Sequence, residues 1–309
     1  MIGSELHADL RPLAFSIAYR MLGSVSEAED VVQGAFLRLH EALTRETRID
    51  SPRPYLSTIV TRLSIDHLRR ARVRREQYVG EWLPEPLLED PHPGAAEHAE
   101  TADSLSLAFL VLLESLSPVQ RAVFLLHDVF DYDYGEIAEI VGKSEENCRQ
   151  LAARARRHVD ERRPRFETTR EQRDELAQRF FDAVERGDTE GLLSLLAADA
   201  AVYGDGCGKA PAWPRPIFGR DQVARLLAAV GMQIRGLPIE RRTVQVNGQP
   251  GAVFMDADGR VINVMALDIV DGVIQTVRSV INPEKLGHLG ELADVRALLR
   301  AGRQEHVPS

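Results

Sequence analysis

From residue 5 to residue 160, apolar side chains recur three and four places apart, the spacing that puts them on one face of a helix. Leu10, Leu13, Ala14, Ile17, Ala18 and Met21 predict a first helix over 5–22, broken by Gly23-Ser24. Ser26 is placed to cap the next helix, whose stripe is Val31, Val32, Ala35, Phe36, Leu39 and Leu43. Ser51-Pro52-Arg53-Pro54 opens a third, carried by Leu56, Ile59, Val60, Leu63, Ile65 and Leu68 to about Tyr78. Residues 104–128 hold two more, joined at Ser117-Pro118, since proline suits a first helical turn. Tyr134 to Arg157 then reads as two short helices around a tight turn. Gly142 ends one and Ser144 caps the other, with Cys148, Leu151, Ala152, Ala155 and Val159 as the second helix's apolar back.

Past Arg165 the pattern changes. Residues 170–186, 188–197 and 221–230 remain helical, but the rest alternates as strands do. It is punctuated by Asn247-Gly248, Asp258-Gly259 and Asp271-Gly272, dipeptides that suit the tight turns of twisted hairpins. Arg260–Ile269 and Val273–Asn282 form one such hairpin. Helices on one face of a curved antiparallel sheet make an α+β domain. The chain is therefore multidomain: all-α at 1–80 and at 104–165, and α+β at 168–309. A linker at 81–103 is rich in Pro84, Pro86, Pro91, Pro93 and Gly94 and in acids. Trp82-Leu83 within it should be buried against something.

Chemistry sharpens this picture. The front of the 144–157 helix carries Asn147, Arg149, Gln150, Arg154, Arg156 and Arg157, side chains able to pair with base edges and phosphates, as a helix in a major groove requires. A second basic cluster, Arg62 to Arg75, lies at the end of the third helix. Yet the net charge is −9. An acidic chain binds duplex weakly by phosphate neutralisation alone, so a partner must supply most of the affinity. Only Cys148 and Cys207 are present, which suits a reducing cytoplasm and offers neither disulfide framework nor metal site. No run is long and apolar enough to span a membrane, and the amino terminus is too acidic for a signal peptide.

Three segments, SEAEDVVQGAFLRLHEAL, RPYLSTIVTRLSIDHLRRARVRRE and LSPVQRAVFLLHDVFDYDYGEIAEIVGKSEENCRQLAARARRHV, resemble regions 2 and 4 of an extracytoplasmic-function sigma factor. The remainder resembles a SnoaL-like, nuclear-transport-factor-2-like cone, the extension of sigma factors of the SigJ type. WLPEP at 82–86, DGCGK at 205–209 and NPEK at 282–285 are similar to motifs of that subgroup, with Cys207 and Glu284 as departures from its usual DGGGK and NPDK. The resemblance implies core RNA polymerase and promoter DNA as partners. Asp30, Gln33, Phe36 and Leu39 match the part that binds core polymerase. Arg53, Tyr55, Arg62, Asp66, Arg69, Arg70 and Arg72 match the path of the −10 element. Ser144, Glu145, Asn147, Arg149, Gln150 and Arg154 fall on the reader of the −35 element. Trp82, Leu83, Pro84, Glu85 and Pro86 would meet Asp205, Gly206, Lys209, Asn282, Pro283 and Lys285 in an interdomain contact, so that the extension tunes promoter opening.

Cones of this class include enzymes that use a pocket acid. Tyr203, Asp205, Asp256 and Asp268 are the candidates here. Asp256 and Asp258 flank a turn, Asp205 belongs to a glycine loop, and no hydrolase or phosphate-loop motif is present. The expectation is thus a regulatory domain rather than an enzyme, with no cofactor and no metal, and with a small molecule in the cone as a further partner. The competing class is a stand-alone helix-turn-helix regulator with a ligand-sensing domain.

Overall fold

The computed structural model describes residues 4–45, 49, 51–75, 78–88, 104–161 and 169–305. They form two units. One joins 4–75 to 104–161; the other joins the short segment 78–88 to everything from 169 onward.

The first unit is helical: α1 Ser4–Leu22, α2 Val25–Thr44, α3 Pro52–Arg75, α4 Leu107–Leu113, α5 Pro118–Asp128, α6 Tyr134–Val141 and α7 Glu145–Asp160. The cap of α2 is Ser24, not Ser26. Gly23 takes a positive φ and sets Ser24 in the extended conformation a cap needs, so its hydroxyl accepts from the Glu27 N–H at 3.2 Å. The third helix is described as far as Arg75, and Tyr78, its expected end, is not helical. Ser117 and Asp133 begin α5 and α6 with reciprocal capping boxes. Gly142 (φ 66°, ψ 47°) ends α6 in the left-handed region, and Ser144 caps α7. Val123, Leu126, Tyr132, Ile137, Ile140, Cys148 and Ala152 make one core under α5, α6 and α7.

These last helices are packed on the first three rather than merely strung behind them. The Tyr132 hydroxyl donates to Ser57 at 2.7 Å. Arg121, buried, donates to the Met21 carbonyl at 2.7 Å and pairs with Glu114 at 2.7 Å. Burial pulls its guanidinium down to about 9. Arg62 donates to the Glu139 and Ile140 carbonyls at 2.8 and 2.9 Å, the carbonyls that a helix leaves unpaired at its end.

The second unit is a six-stranded sheet, order β2-β1-β6-β5-β4-β3, with helices on one face. Its elements are α8 Arg170–Arg186, α9 Thr189–Leu195, β1 Leu196–Asp205, β2 Ile217–Phe218, α10 Arg220–Ile234, β3 Ile239–Val246, β4 Gln249–Asp256, β5 Val261–Val270 and β6 Val273–Val280. After them come the short α11 Pro283–Leu286 and the terminal α12 Val295–Glu305. The sheet is mixed, not wholly antiparallel. The chain leaves β1, crosses through β2 and α10 to the far edge, and returns by three hairpins, so β6 arrives parallel to β1. Asn247-Gly248 and Asp271-Gly272 both have positive φ at each residue, the mirror-image turn their sequence suggests. Phe180, Phe181, Leu192, Val223, Leu227, Leu267 and Val277 fill the space between helices and sheet.

Candidate nucleic-acid interface and linker clamp

On α7 the apolar back (Cys148, Ala152, Ala155, Val159) is buried, while Ser144, Glu145, Asn147, Arg149, Gln150 and Arg154 are all exposed. Arg149 is tied to Glu145 at 2.7 Å and lies over the Tyr134 ring. Arg156 does not join this front; it pairs with Asp128 at 2.6 Å and braces α7 on α5. On α3, Arg53, Asp66, Arg69 and Arg70 face solvent and Tyr55 is half-buried. Arg62, also exposed, differs from its neighbours because its Nε and Nη2 are tied to the end of α6. The Arg72 side chain lies outside the described residues.

The α2 candidates divide. Asp30 and Gln33 are exposed, but Leu39 is fully buried and Phe36 is buried beside His7. Phe36 and Leu39 therefore serve the core of their own unit in this conformation. The exposed apolar group on the Asp30–Gln33 face is Leu37, 56% exposed and one helical turn beyond Gln33. The i, i+3, i+7 spacing of Asp30, Gln33 and Leu37 is the available signal, hidden because Leu37 falls outside the apolar stripe.

In the second unit the segment 78–88 is clamped along its length. Asp205, wholly buried at the end of β1, accepts from the Tyr78 hydroxyl at 2.5 Å, the Leu83 N–H at 2.8 Å and the Lys285 ammonium at 2.6 Å. Lys285 also donates to the Leu83 carbonyl, and its ammonium sits 4.9 Å from the Tyr78 ring centroid and 4.4 Å from that of Trp82. A buried carboxylate and ammonium are tolerated together because each completes the other's shell. Asn282 donates to the Tyr78 oxygen at 2.9 Å while capping α11 with its carbonyl oxygen. Burial, then the hydrogen bond to Asp205, raises the Tyr78 phenol above its ordinary value. Farther along, His288 meets the Pro86 carbonyl at 2.8 Å, and Asn247 exchanges two hydrogen bonds with Leu87, at 2.8 and 2.9 Å. Leu83, Pro84, Glu85 and Pro86 are buried.

The glycine loop makes this geometry available. A side chain at Gly206 would meet the Ala210 carbonyl at 2.6 Å, and Gly208 takes a φ of 66°. Cys207 adopts a φ of 49°, so a residue with a Cβ occupies a left-handed position that glycine fills more cheaply. Lys209 pairs with Glu284 and ties DGCGK to NPEK; Pro283 is the first residue of α11. Tyr78, Asn247 and His288 are clamp residues that the sequence did not single out. Tyr78 was assigned to a helix end and Asn247 to a turn.

Of the four acid-base candidates, Asp205 holds the segment 78–88. Asp256 accepts from the Asp258 and Arg260 N–H groups of its own turn. Asp268 pairs with Arg278, whose guanidinium also lies over Tyr203. Burial lowers the Arg278 guanidinium to about 10. None of the four lines the cavity of about 340 Å3 between sheet and helices. Among the described residues no group of acids, histidines and cysteines is placed to hold a metal ion, and no helix is long and apolar enough to cross a membrane.

Residues 6–74 match the Sigma-70 region 2 family, 106–159 match Sigma-70 region 4, and 177–279 match the SnoaL-like domain family. The ECF RNA polymerase sigma factor SigJ of Mycobacterium tuberculosis is 37% identical over 314 residues, 98% of either chain. A probable ECF RNA polymerase sigma factor, SigI, of the same organism is 32% identical over 290 residues, 90% of this chain and 93% of its own. The crystal structure of M. tuberculosis SigJ superposes with a TM-score of 0.71 at 34% identity, covering 92% of this chain and 98% of that one. A stand-alone repressor would have no use for a region 2. With regions 2 and 4 in order and a SnoaL-like domain behind them, the chain belongs to the ECF RNA polymerase sigma factors of the SigJ type.

Proposed function

We propose that this sigma factor directs core RNA polymerase, in the cytoplasm, to its promoters under the control of its own C-terminal unit. The observation that carries the reading is the clamp: the chain joining region 2 to region 4 is gripped from Tyr78 to Leu87 by the SnoaL-like unit. Asp30, Gln33 and Leu37 form the exposed α2 face offered to polymerase. Arg53, Tyr55, Asp66, Arg69 and Arg70 follow the −10 path, and α7 presents Asn147, Arg149, Gln150 and Arg154 to the −35 element. Arg62 is exposed on α3; it holds the α6 carbonyls through Nε and Nη2 and can still offer Nη1 to a phosphate on the same path. The C-terminal unit acts as a regulator and not as a catalyst, because its buried acids are engaged by hydrogen bonds and ion pairs. Its cavity gives a small molecule a place from which to bias the grip.

Transcription by core polymerase from pooled genomic fragments tests this, comparing the intact chain with Trp82→Ala. The reading expects specific initiation from the intact chain and a changed output from the variant. Initiation that requires no added sigma factor, or identical output although the clamp is lost, contradicts it.

A further inference from the structure

The cavity between the sheet and α8, α10 and α12 has a chemistry of its own. Its walls are apolar, including Trp213, Phe254, Ile262, Met265 and Leu298. The polar side chains on them are Gln233, which is exposed, and Asn263 and Ser279: the Asn263 amide donates to the Ser279 hydroxyl at 2.9 Å, and the Asn263 carbonyl oxygen is buried with no hydrogen-bond partner among the described residues. Such an oxygen costs stability until a donor reaches it. Strand alternation puts Asn263, Met265 and Ser279 on the cavity face, and Tyr203, Asp268 and Arg278 on the other.

The cavity also touches the clamp. Gly204 lies on the cavity side of β1, where a Cβ would strike the Trp213 ring at 2.9 Å. The next residue, Asp205, holds the segment 78–88. The loop from Asp205 to Trp213 thus has the clamp at one end, while Pro211, Ala212 and Trp213 line the cavity at the other. At the end of β6, Ser279 and, just past the strand, Ile281 line the cavity, and the next residue, Asn282, binds Tyr78. Helix α12 rims the cavity with Val295, Leu298 and Leu299, and Arg296 donates to the Gly208 carbonyl at 3.3 Å.

We propose that this cavity binds a small, largely apolar molecule carrying one hydrogen-bond donor, which satisfies the Asn263 oxygen. Through the 205–213 loop its occupancy changes the grip on the segment 78–88. The volume falls at the small end of ordinary ligand pockets, of about 300–1,000 Å3, and suits a molecule of two or three rings. The binding claim stands on the cavity alone; the coupling claim rests on the regulatory reading above. A ligand shifts the clamp only through different affinities for the gripped and released states.

The test uses para-phenylphenol, its methyl ether (an acceptor without a donor) and the full-length chain. Trp82→Phe leaves Trp213 as the sole tryptophan, whose fluorescence reports binding. Saturable quenching by the phenol, with the ether at least about tenfold weaker, is expected. Asn263→Leu should equalise the two, and Leu298→Phe, at the rim, should weaken both without touching the amide. No saturable binding, or an ether as tight as the phenol, overturns the site. Hydrogen exchange of the peptide covering 78–88, in the otherwise wild-type chain, reads the coupling. A change on adding the phenol supports it, and binding without a change overturns it. The exchange of Asp205→Asn in the absence of phenol reports the clamp itself, so failure of the ligand and failure of the clamp are told apart.

Discussion

Lys285→Met removes the ammonium of the clamp while keeping much of the stem's volume. In the gripped state Asp205 is then left wholly buried with two neutral donors, the Tyr78 hydroxyl and the Leu83 N–H. Leaving a buried charge without its partner costs about 3–5 kcal/mol. Water reaches Asp205 once the segment 78–88 lifts away, so the penalty falls mainly on gripping rather than on folding of the cone. Taking the lower end, the ratio of gripped to released chains falls by about 3 kcal/mol, roughly a hundredfold. Leu83 reports this directly, because its N–H is bonded to Asp205 at 2.8 Å. Hydrogen exchange of the 78–88 peptide should accelerate by about that factor, up to the limit set by the free chain. Adding Asp205→Asn to Lys285→Met should recover part of the protection, since neither buried charge remains. Unchanged exchange in Lys285→Met, accompanied by a lower melting temperature of the C-terminal unit, would refute the reasoning: the pair would then hold the cone together and not the linker.

Other perturbations have definite signs. Cys207→Gly relieves a left-handed residue and should stabilise the 205–209 loop by about 1 kcal/mol, read as a higher melting temperature and slower exchange at 78–88. Gly142→Ala places a Cβ at a φ of 66° and should cost about 1–2 kcal/mol in a thermal melt, weakening promoter-fragment binding by the holoenzyme. Leu37→Asp should reduce binding to core polymerase about tenfold or more while the melting temperature stays within experimental scatter, because the side chain is exposed. Alkali should loosen the clamp. Tyr78 has a raised phenol when gripped and an ordinary one, near 10, when released, so gripping is undiminished below pH 10 and weakens as pH rises above it. Ultraviolet difference titration of the parent chain against Tyr78→Phe should place the missing phenol above the ordinary tyrosine range, and a difference confined to the range near pH 10 would contradict the grip on Tyr78.

Helix periodicity and capping chemistry made the helical unit legible, down to Gly142 and Ser144, because local sequence decides where helices stop. Ser26 was mistaken for Ser24 because both are serines before an acidic turn, and only the backbone set by Gly23 distinguishes them. The parallel pairing of β1 with β6 is set by the crossover, which leaves no mark in either strand. The motifs WLPEP, DGCGK and NPEK drew attention to Trp82, Asp205 and Lys285, and the structure brings these three side chains together. Tyr78, Asn247 and His288 reach the same segment through tertiary geometry alone. Asn263 looked like any polar residue in a strand. Its significance comes from the apolar wall that α8, α10, α12, β3 and β4 assemble around it.

The clamp also bears on promoter architecture. Fully extended, residues 78–88 would span about 35 Å. Gripped, they follow one fixed path and contribute nothing adjustable to the distance between region 2 and region 4. Released, they give the connector a variable reach up to that limit. A gripped sigma factor should therefore accept a narrow range of spacer lengths between the −10 and −35 elements, and a released one should tolerate a wider range. Loss of the clamp would then widen the set of promoters used, and not only change the output from each.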